Sequence, residues 1–333
     1  MTTLKVFSNR HIKTEAANLK DGDVIFLESP LSRKRWSTYV KYNGIDENSL
    51  NVTYITKEEY FTLENTDFDL VTVTGNPPYN DGSAGRSPIY QKFLHKLISF
   101  SPVDTVFVIP TNWMSQPDAK LGKDVRAYLK QLGVYDIQIN PINAFEGARV
   151  NTCTVFCKKD YTGPVTLFNE NRTKHYVIRE FDQRIIIEFN NTSRSLLLRL
   201  KPEQPNSTHA GNKKDTNSFR VVTSYMCYNN LSEAPLNELK VIEPNYPKQS
   251  GYRVFASFDS AELANEHLAY LNSFWHSKLV QFILKKTRTS TTLDNPQISW
   301  VPNIILNRKF TNDDLYAYFG LTQEEIDYVE ANS

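Results

Sequence analysis

A chain of 333 residues has room for two domains of ordinary size, and its 38 lysines and arginines stand against 37 acidic residues, leaving a net charge of +1. That balance excludes a general electrostatic pull towards polyanions, so any contact with nucleic acid must use positive charge gathered on one face. No apolar run approaches membrane-spanning length, and Met1-Thr2-Thr3-Leu4-Lys5 is not followed by a signal-peptide core, so the sequence points to a soluble, cytoplasmic protein.

Residues 1–65 read as a small β-rich segment. Asp21-Gly22 precedes the strand-like run Val24-Ile25-Phe26-Leu27-Glu28. Asn43-Gly44 lies between two further runs, Trp36–Tyr42 and Asn51–Ile55, as a hairpin turn would. The segment therefore reads as a β-meander and not as half of a Rossmann unit. Gly22 and Gly44 are the only glycines before Gly75, so no glycine-rich loop permits a close backbone approach to a ligand. Glu28, at a strand end, is placed either to meet a ribose hydroxyl or simply to face solvent.

From Phe68 onward strands and helices alternate. The apolar run Phe68–Gly75 ends in Asn76-Pro77-Pro78-Tyr79. Two prolines in succession remove two backbone donors and fix φ twice, so the chain must leave the sheet as a stiff loop. In an open α/β sheet such a loop, at the carboxyl end of a strand, borders the ligand crevice. The Asn76 amide oxygen and the Pro77 carbonyl offer two acceptors to a planar amino group, and Tyr79 offers a ring to stack on whatever carries it. After the Gly82–Pro88 connector, Ser87 and Pro88 suit a helix start, with Ile89, Phe93, Leu94, Leu97 and Ile98 on one face.

The strand Asp104–Pro110 runs into Pro110-Thr111-Asn112-Trp113, and a helix through Asp124–Leu129 stops near Gly133. Two further strands, Tyr135–Asn140 and Val150–Lys159, are joined by a segment holding Phe145. Cys153 and Cys157 have a spacing seen in metal pairs but no partner pair. With Cys227 they make no even framework, so they read as buried thiols of a reducing compartment, with no metal. Beyond 160 come short β-like runs, Val165–Phe168 and Tyr176–Ile178, and a polar stretch, Lys201–Asp215, of loop composition. Asp259 or Ser260 caps a helix through Leu268, Leu271 and Phe274. Lys278, Lys285, Lys286 and Arg288 then form a basic cluster suited to phosphates or to a solvated helix end.

Asn76-Pro77-Pro78-Tyr79, with the strand before it and the helix after it, resembles the catalytic motif of the amino-directed DNA methyltransferases, above all the N6-adenine methylases of type II restriction-modification systems. The likeness covers residues 66–160 well and 250–330 moderately, and it does not reach the first 65. It implies an α/β fold: a Rossmann-like methyltransferase sheet, left open at its N-terminus by the reading of residues 1–65, with a mixed α+β target-recognition domain over 161–333. It implies a bacterial or phage setting and transfer of a methyl group from S-adenosyl-L-methionine to a flipped-out adenine in DNA. Asn76, Pro77, Pro78 and Tyr79 would grip the base, and Phe145 would stack on its other face. Pro110, Asn112 and Trp113 would shape the target pocket, while Glu28 and Asn76 are the candidates for the cofactor. The missing glycine-rich motif leaves three alternatives: a partner subunit that carries the motif, a degenerate site in a DNA-binding or regulatory subunit, or an unfamiliar cofactor loop.

Overall fold

The computed structural model describes residues 2–7, 12–27, 30–64, 70–79, 88–115, 120–141, 151–178, 181, 185, 187–202, 217–224, 238–245, 252–287, 298 and 300–333. The chain divides into two compact units, Met1–Ile185 and Ile186–Ser333.

The first unit is built on one sheet. Its strands are β1 (Thr2–Phe7), β2 (Asp23–Leu27), β3 (Thr53–Thr56), β4 (Leu70–Asn76), β5 (Asp104–Pro110), β6 (Val134–Ile139), β7 (Thr152–Lys158), β8 (Val165–Phe168) and β9 (His175–Ile178). They lie in the order β3-β2-β1-β4-β5-β7-β6-β8-β9. The first five are mutually parallel, β7 runs antiparallel to both β5 and β6, and β8 and β9 extend the sheet beyond β6. This is the Rossmann-like α/β class expected from the sequence.

Parallel strands need crossovers, and the sequence supplies helices on both faces. These are α1 (Ile12–Ala17), α2 (Pro30–Tyr42), α3 (Lys57–Thr62), α4 (Tyr90–Phe100), α5 (Asn112–Ser115) and α6 (Lys120–Gln131). All five residues of β2 are buried. Ile25 and Leu27 pack with Ala16, Trp36 and Val40 in one cluster. Phe26 instead meets Tyr60 and Phe93 edge-on, at ring separations of 5.7 and 5.4 Å. Alternate side chains of one strand thus feed two different helical layers.

Here the reading of residues 1–65 is corrected. They form β1, β2 and β3, parallel strands of the main sheet, and not a separate meander. The run Trp36–Tyr42 is the second half of α2 and not a strand. Trp36 and Val40 are four residues apart, so in a helix they share the buried stripe that faces β2. The Trp36 indole donates to the Tyr54 hydroxyl at 2.9 Å, tying α2 to β3. Gly44, with φ +70°, closes the end of this helix instead of turning a hairpin. The expected boundary at 160 also moves, because β8 and β9 belong to the sheet and the first unit runs to Ile185. Finally, α4 starts at Tyr90 with Ile89 as an N-cap that makes no side-chain bond; Ser87 lies outside the described residues.

The second unit has a three-stranded antiparallel sheet, β11-β10-β12, formed by β10 (Phe219–Ser224), β11 (Lys240–Ile242) and β12 (Tyr252–Phe258). Its helices are α7 (Asn191–Leu200), α8 (Ala261–Trp275), α9 (Lys278–Lys286), α10 (Asn312–Tyr318) and α11 (Gln323–Asn332). Each of α7 to α11 begins with a capping side chain, Asn190, Ser260, Ser277, Thr311 or Thr322. Leu279, Val280, Phe282, Ile283 and Leu284 of α9 lie in a core shared with α7, α8, α10 and α11.

The first unit holds a buried ion pair among its described residues. Lys5, in β1, is 2.7 Å from Asp23, with side chains 8% and 3% exposed. Lys5 Nζ also donates to the Asn18 carbonyl, and Asp23 accepts from the Lys20 backbone N–H at 2.8 Å. Removing one partner would strand a buried charge. Lys5→Ala is expected to cost about 3–5 kcal/mol in urea unfolding followed by circular dichroism, and Lys5→Met with Asp23→Leu should restore much of the loss. A K5A cost indistinguishable from zero would show that water already shields the pair.

Candidate active site

Because β1, β2, β4 and β5 are parallel, their carboxyl ends share one edge of the sheet. From β1 the order runs outward to β2 and β3, and from β4 it runs the other way, so the topological switch point lies between β1 and β4. Asn76, the last residue of β4, is paired with Phe7, the last of β1. The Asn-Pro-Pro-Tyr loop therefore leaves the sheet at the switch point itself. One residue earlier, Gly75 is paired with Val6, and a Cβ there would collide with the Val6 backbone. Only glycine allows the two strands to close at this place.

The loop is held firmly. Pro77 and Pro78 are buried, Asn76 is 9% exposed, and Tyr79 is half-buried. The Tyr79 carbonyl accepts from the Ile89 N–H at 3.0 Å, which brings the start of α4 back to the loop. The Tyr79 hydroxyl is buried and has no hydrogen-bond partner of normal geometry among the described residues, although the Asn76 amide is nearby. Burial, and then the neighbouring Cys153 thiol, push this phenol well above its ordinary 10. Tyr79 thus keeps its hydroxyl inward and part of its surface outward, a posture compatible with ring stacking but not with proton transfer.

Tyr90, 1% exposed, donates to the Asn112 side-chain oxygen at 2.9 Å. That bond links the first residue of α4 to the first of α5, directly after β5. Burial and Cys153 raise the Tyr90 phenol as well. Cys153 itself is fully buried on β7, opposite Ile109 of β5, and desolvation raises its thiol far above the usual range. Cys153 and Cys157 are both buried and unbridged; Cys227 lies outside the described residues.

The expected site residues fare unequally. Asn76, Pro77, Pro78 and Tyr79 are brought together with Pro110 and Asn112, on the adjacent strand end. Pro110 is buried and Asn112 is half-buried. Trp113 is corrected to a core residue: it is 0% exposed and packs against Phe181 at 5.9 Å. Its carbonyl accepts from buried Arg126 at 2.8 Å, so it backs the site's wall and does not line it. Phe145, Glu28 and Arg288 lie outside the described residues.

In the second unit the three described lysines of the basic cluster have partners within the fold. Lys278 pairs with Glu330, Lys286 pairs with Glu188 at 3.2 Å, and Lys285 donates to the Ser333 carbonyl at 3.4 Å. These contacts tie α9 to α11 and to the segment before α7, and a phosphate at Lys278 or Lys286 would compete with a carboxylate. Sequence reasoning missed Tyr90 and the supporting place of Cys153. Tyr90 forms its bond across 22 residues, for which no local pattern exists. Among the described residues no cluster of His, Cys, Asp and Glu could hold a metal, and no helix is long and apolar enough to cross a membrane.

No family model matches the chain, and neither does any curated protein. Among solved structures, the chain is similar to the methyltransferase subunit of a type I restriction-modification system from Streptococcus thermophilus, at 16% identity over 51% of this chain and 42% of that one, with a TM-score of 0.40. It is also similar to the type IIG restriction endonuclease BpuSI, at 15% identity over 50% of this chain and 23% of that one, TM-score 0.39. A third is the EcoKI M protein of a type I restriction enzyme, at 15% identity over 50% and 44%, TM-score 0.34. The matched region is therefore less than half of each of these proteins. Likeness of this degree says nothing about what the chain acts on.

Two substitutions separate the tyrosines. Tyr90→Phe is expected to cost about 1 kcal/mol, the ordinary value of a lost hydrogen bond, in thermal or urea unfolding. Tyr79→Phe should cost less, because its buried hydroxyl has no hydrogen bond of normal geometry among the described residues, only the Asn76 amide nearby. Equal losses would contradict this geometry. Both phenols titrate higher in the folded chain than the ordinary 10. Their contribution to stability is complete below pH 10 and falls as pH rises beyond it, since the unfolded chain loses those protons first. Ultraviolet titration should show the two phenols ionising only with unfolding.

Proposed function

We propose that the chain is an S-adenosyl-L-methionine-dependent methyltransferase that acts on the N6 amine of a flipped-out adenine in DNA. The observation that carries this reading is the position of Asn76-Pro77-Pro78-Tyr79 at the carboxyl end of β4, beside β1, at the switch point of a complete parallel half-sheet. A ligand at that edge would meet an amide, a rigid carbonyl and an aromatic ring, the groups a planar exocyclic amine on a ring requires.

The cofactor fits part of what is present. The ends of β1 and β2 and the start of the Asn76 loop share the sheet edge that would hold it, and Glu28, next in sequence after β2, supplies a carboxylate for a ribose hydroxyl. When bound, S-adenosyl-L-methionine supplies an electrophilic methyl group. The residues of the chain would do the rest. Asn76 Oδ1 and the Pro77 carbonyl would accept from the adenine amine, drawing electron density onto its nitrogen and fixing its direction of attack. Tyr79 would stack on the flipped base, and Phe145 on its other face, each contact contributing about 1–3 kcal/mol. The departing amine proton would pass to water. Residues 186–333 would serve as the target-recognition unit.

A second reading has its own support. The segment after β1, Ser8-Asn9-Arg10-His11, contains no glycine, and Gly22 and Gly44 stand in turns elsewhere. On this reading the chain is a DNA-binding or regulatory subunit whose cofactor site is degenerate or completed by a partner carrying the glycine-rich motif. Calorimetry separates the two, since a stand-alone enzyme binds S-adenosyl-L-methionine as the isolated chain.

The isolated chain is expected to transfer labelled methyl groups to adenine in duplex DNA. Asn76→Ala should lower kcat/KM by roughly 100-fold or more, a larger loss than any accompanying fall in cofactor affinity. Glu28→Ala should weaken cofactor binding about tenfold. Methylation that persists undiminished in the N76A variant would overturn the assignment, whichever chain holds the cofactor.

A further inference from the structure

The second unit contains a pocket of about 230 Å³ between β12, α8 and residues 302–306. Its floor is aromatic: Phe255 and Trp275 meet edge-on at 4.6 Å, and Phe274 lies beside Trp275 at 5.7 Å. One wall carries His267, whose ring is tilted over Phe258 at 4.8 Å. His267 Nδ1 sits 3.0 Å from the Leu263 carbonyl, one helical turn back. A hydrogen on Nδ1 would meet that carbonyl, and in that tautomer Nε2 is an acceptor. Asn303, exposed at the other side, brings an amide.

None of the described residues lining this pocket is a lysine, arginine, aspartate or glutamate. With no lysine or arginine among those residues, a phosphate or carboxylate would find no permanent counter-charge from them, and burying one uncompensated is costly. The volume is below the roughly 300–1,000 Å³ of sites for drug-sized ligands, so the occupant is one small ring system. From the aromatic floor, the absence of permanent charge and the two polar groups, we propose that this pocket binds an uncharged planar heteroaromatic ring of nucleobase size. The choice of a nucleobase among such rings rests on the proposed function; the demand for an uncharged ring does not.

The test uses the full chain carrying Asn76→Ala and Tyr79→Ala, so that the base site proposed at β4 contributes nothing. Adenine, cytosine, thymine, indole and cyclohexanol are titrated one at a time, with the Trp275 indole N–H signal followed by nitrogen-edited NMR. At least one free base should bind saturably and shift that signal, with cyclohexanol much weaker. Ala256→Leu, which fills the pocket from β12, should weaken the base about tenfold with an unchanged circular dichroism spectrum. Should that variant fail to fold, His267→Ala supplies the comparison and should weaken binding several-fold. The proposal is overturned if no base binds, if base binding survives the substitution unchanged, or if cyclohexanol binds as well as any base. Binding of indole alone would also overturn it, since the ring would then belong to a protein partner's side chain. Loss of methylation in the same variant would bear only on the β4 site.

Discussion

The close pairing of β4 with β1 is the constraint on which the first unit depends. Gly75 opposite Val6 lets two backbones meet where any side chain would hold them apart, and the loop that follows inherits its position from that contact. Had the strands diverged, Asn76 would leave the sheet away from the ends of β1 and β2. The two prolines then remove most of the remaining freedom of the loop. Close approach and stiffness act in sequence: the first places the loop, and the second keeps it from relaxing into helix or strand.

Behind the loop lies a buried seam of Tyr79, Tyr90 and Cys153. A phenol and a thiol kept neutral by burial make poor acids and bases, but they fix a wall without introducing charge. Tyr90 adds a hydrogen bond to Asn112 and so couples the helix after β4 to the helix after β5. Chemistry that proceeds by holding an amine in line needs rigidity more than proton transfer, and the arrangement matches that need. The cost is a buried Tyr79 hydroxyl without a hydrogen bond of normal geometry among the described residues, a deficit that the structure around it tolerates.

In the second unit the charges serve the fold. Pairs such as Arg199 with Glu325 at 2.7 Å, and those of Lys278 and Lys286, link helices that are far apart in sequence. Exposed pairs of this kind contribute little energy one by one, yet they remove free cations from a face that the sequence suggested for phosphates. The same unit holds the aromatic pocket beside α8. A fold does not dictate function, and the two units illustrate this differently: one through a loop at a strand end, the other through a hollow between a helix and a sheet edge.

The sequence by itself determined the stiff Asn76–Tyr79 corner, the strand before it, the alternation that follows, and the capped helices near the end, because proline geometry, apolar periodicity and capping are all local. It misread Trp36–Tyr42, where aromatic and β-branched residues suggest a strand but the four-residue spacing of Trp36 and Val40 serves a helix. It also separated β1 to β3 and β8 to β9 from a sheet they complete. The parallel pairing of β1 with β4 joins residues nearly seventy positions apart, and no periodicity in either segment records its partner. For the same reason only the tertiary structure decided that Trp113 supports the site from within and that α9's lysines face carboxylates. Burial and charge pairing are properties of neighbours in space, and the linear order of residues does not specify which neighbours those will be.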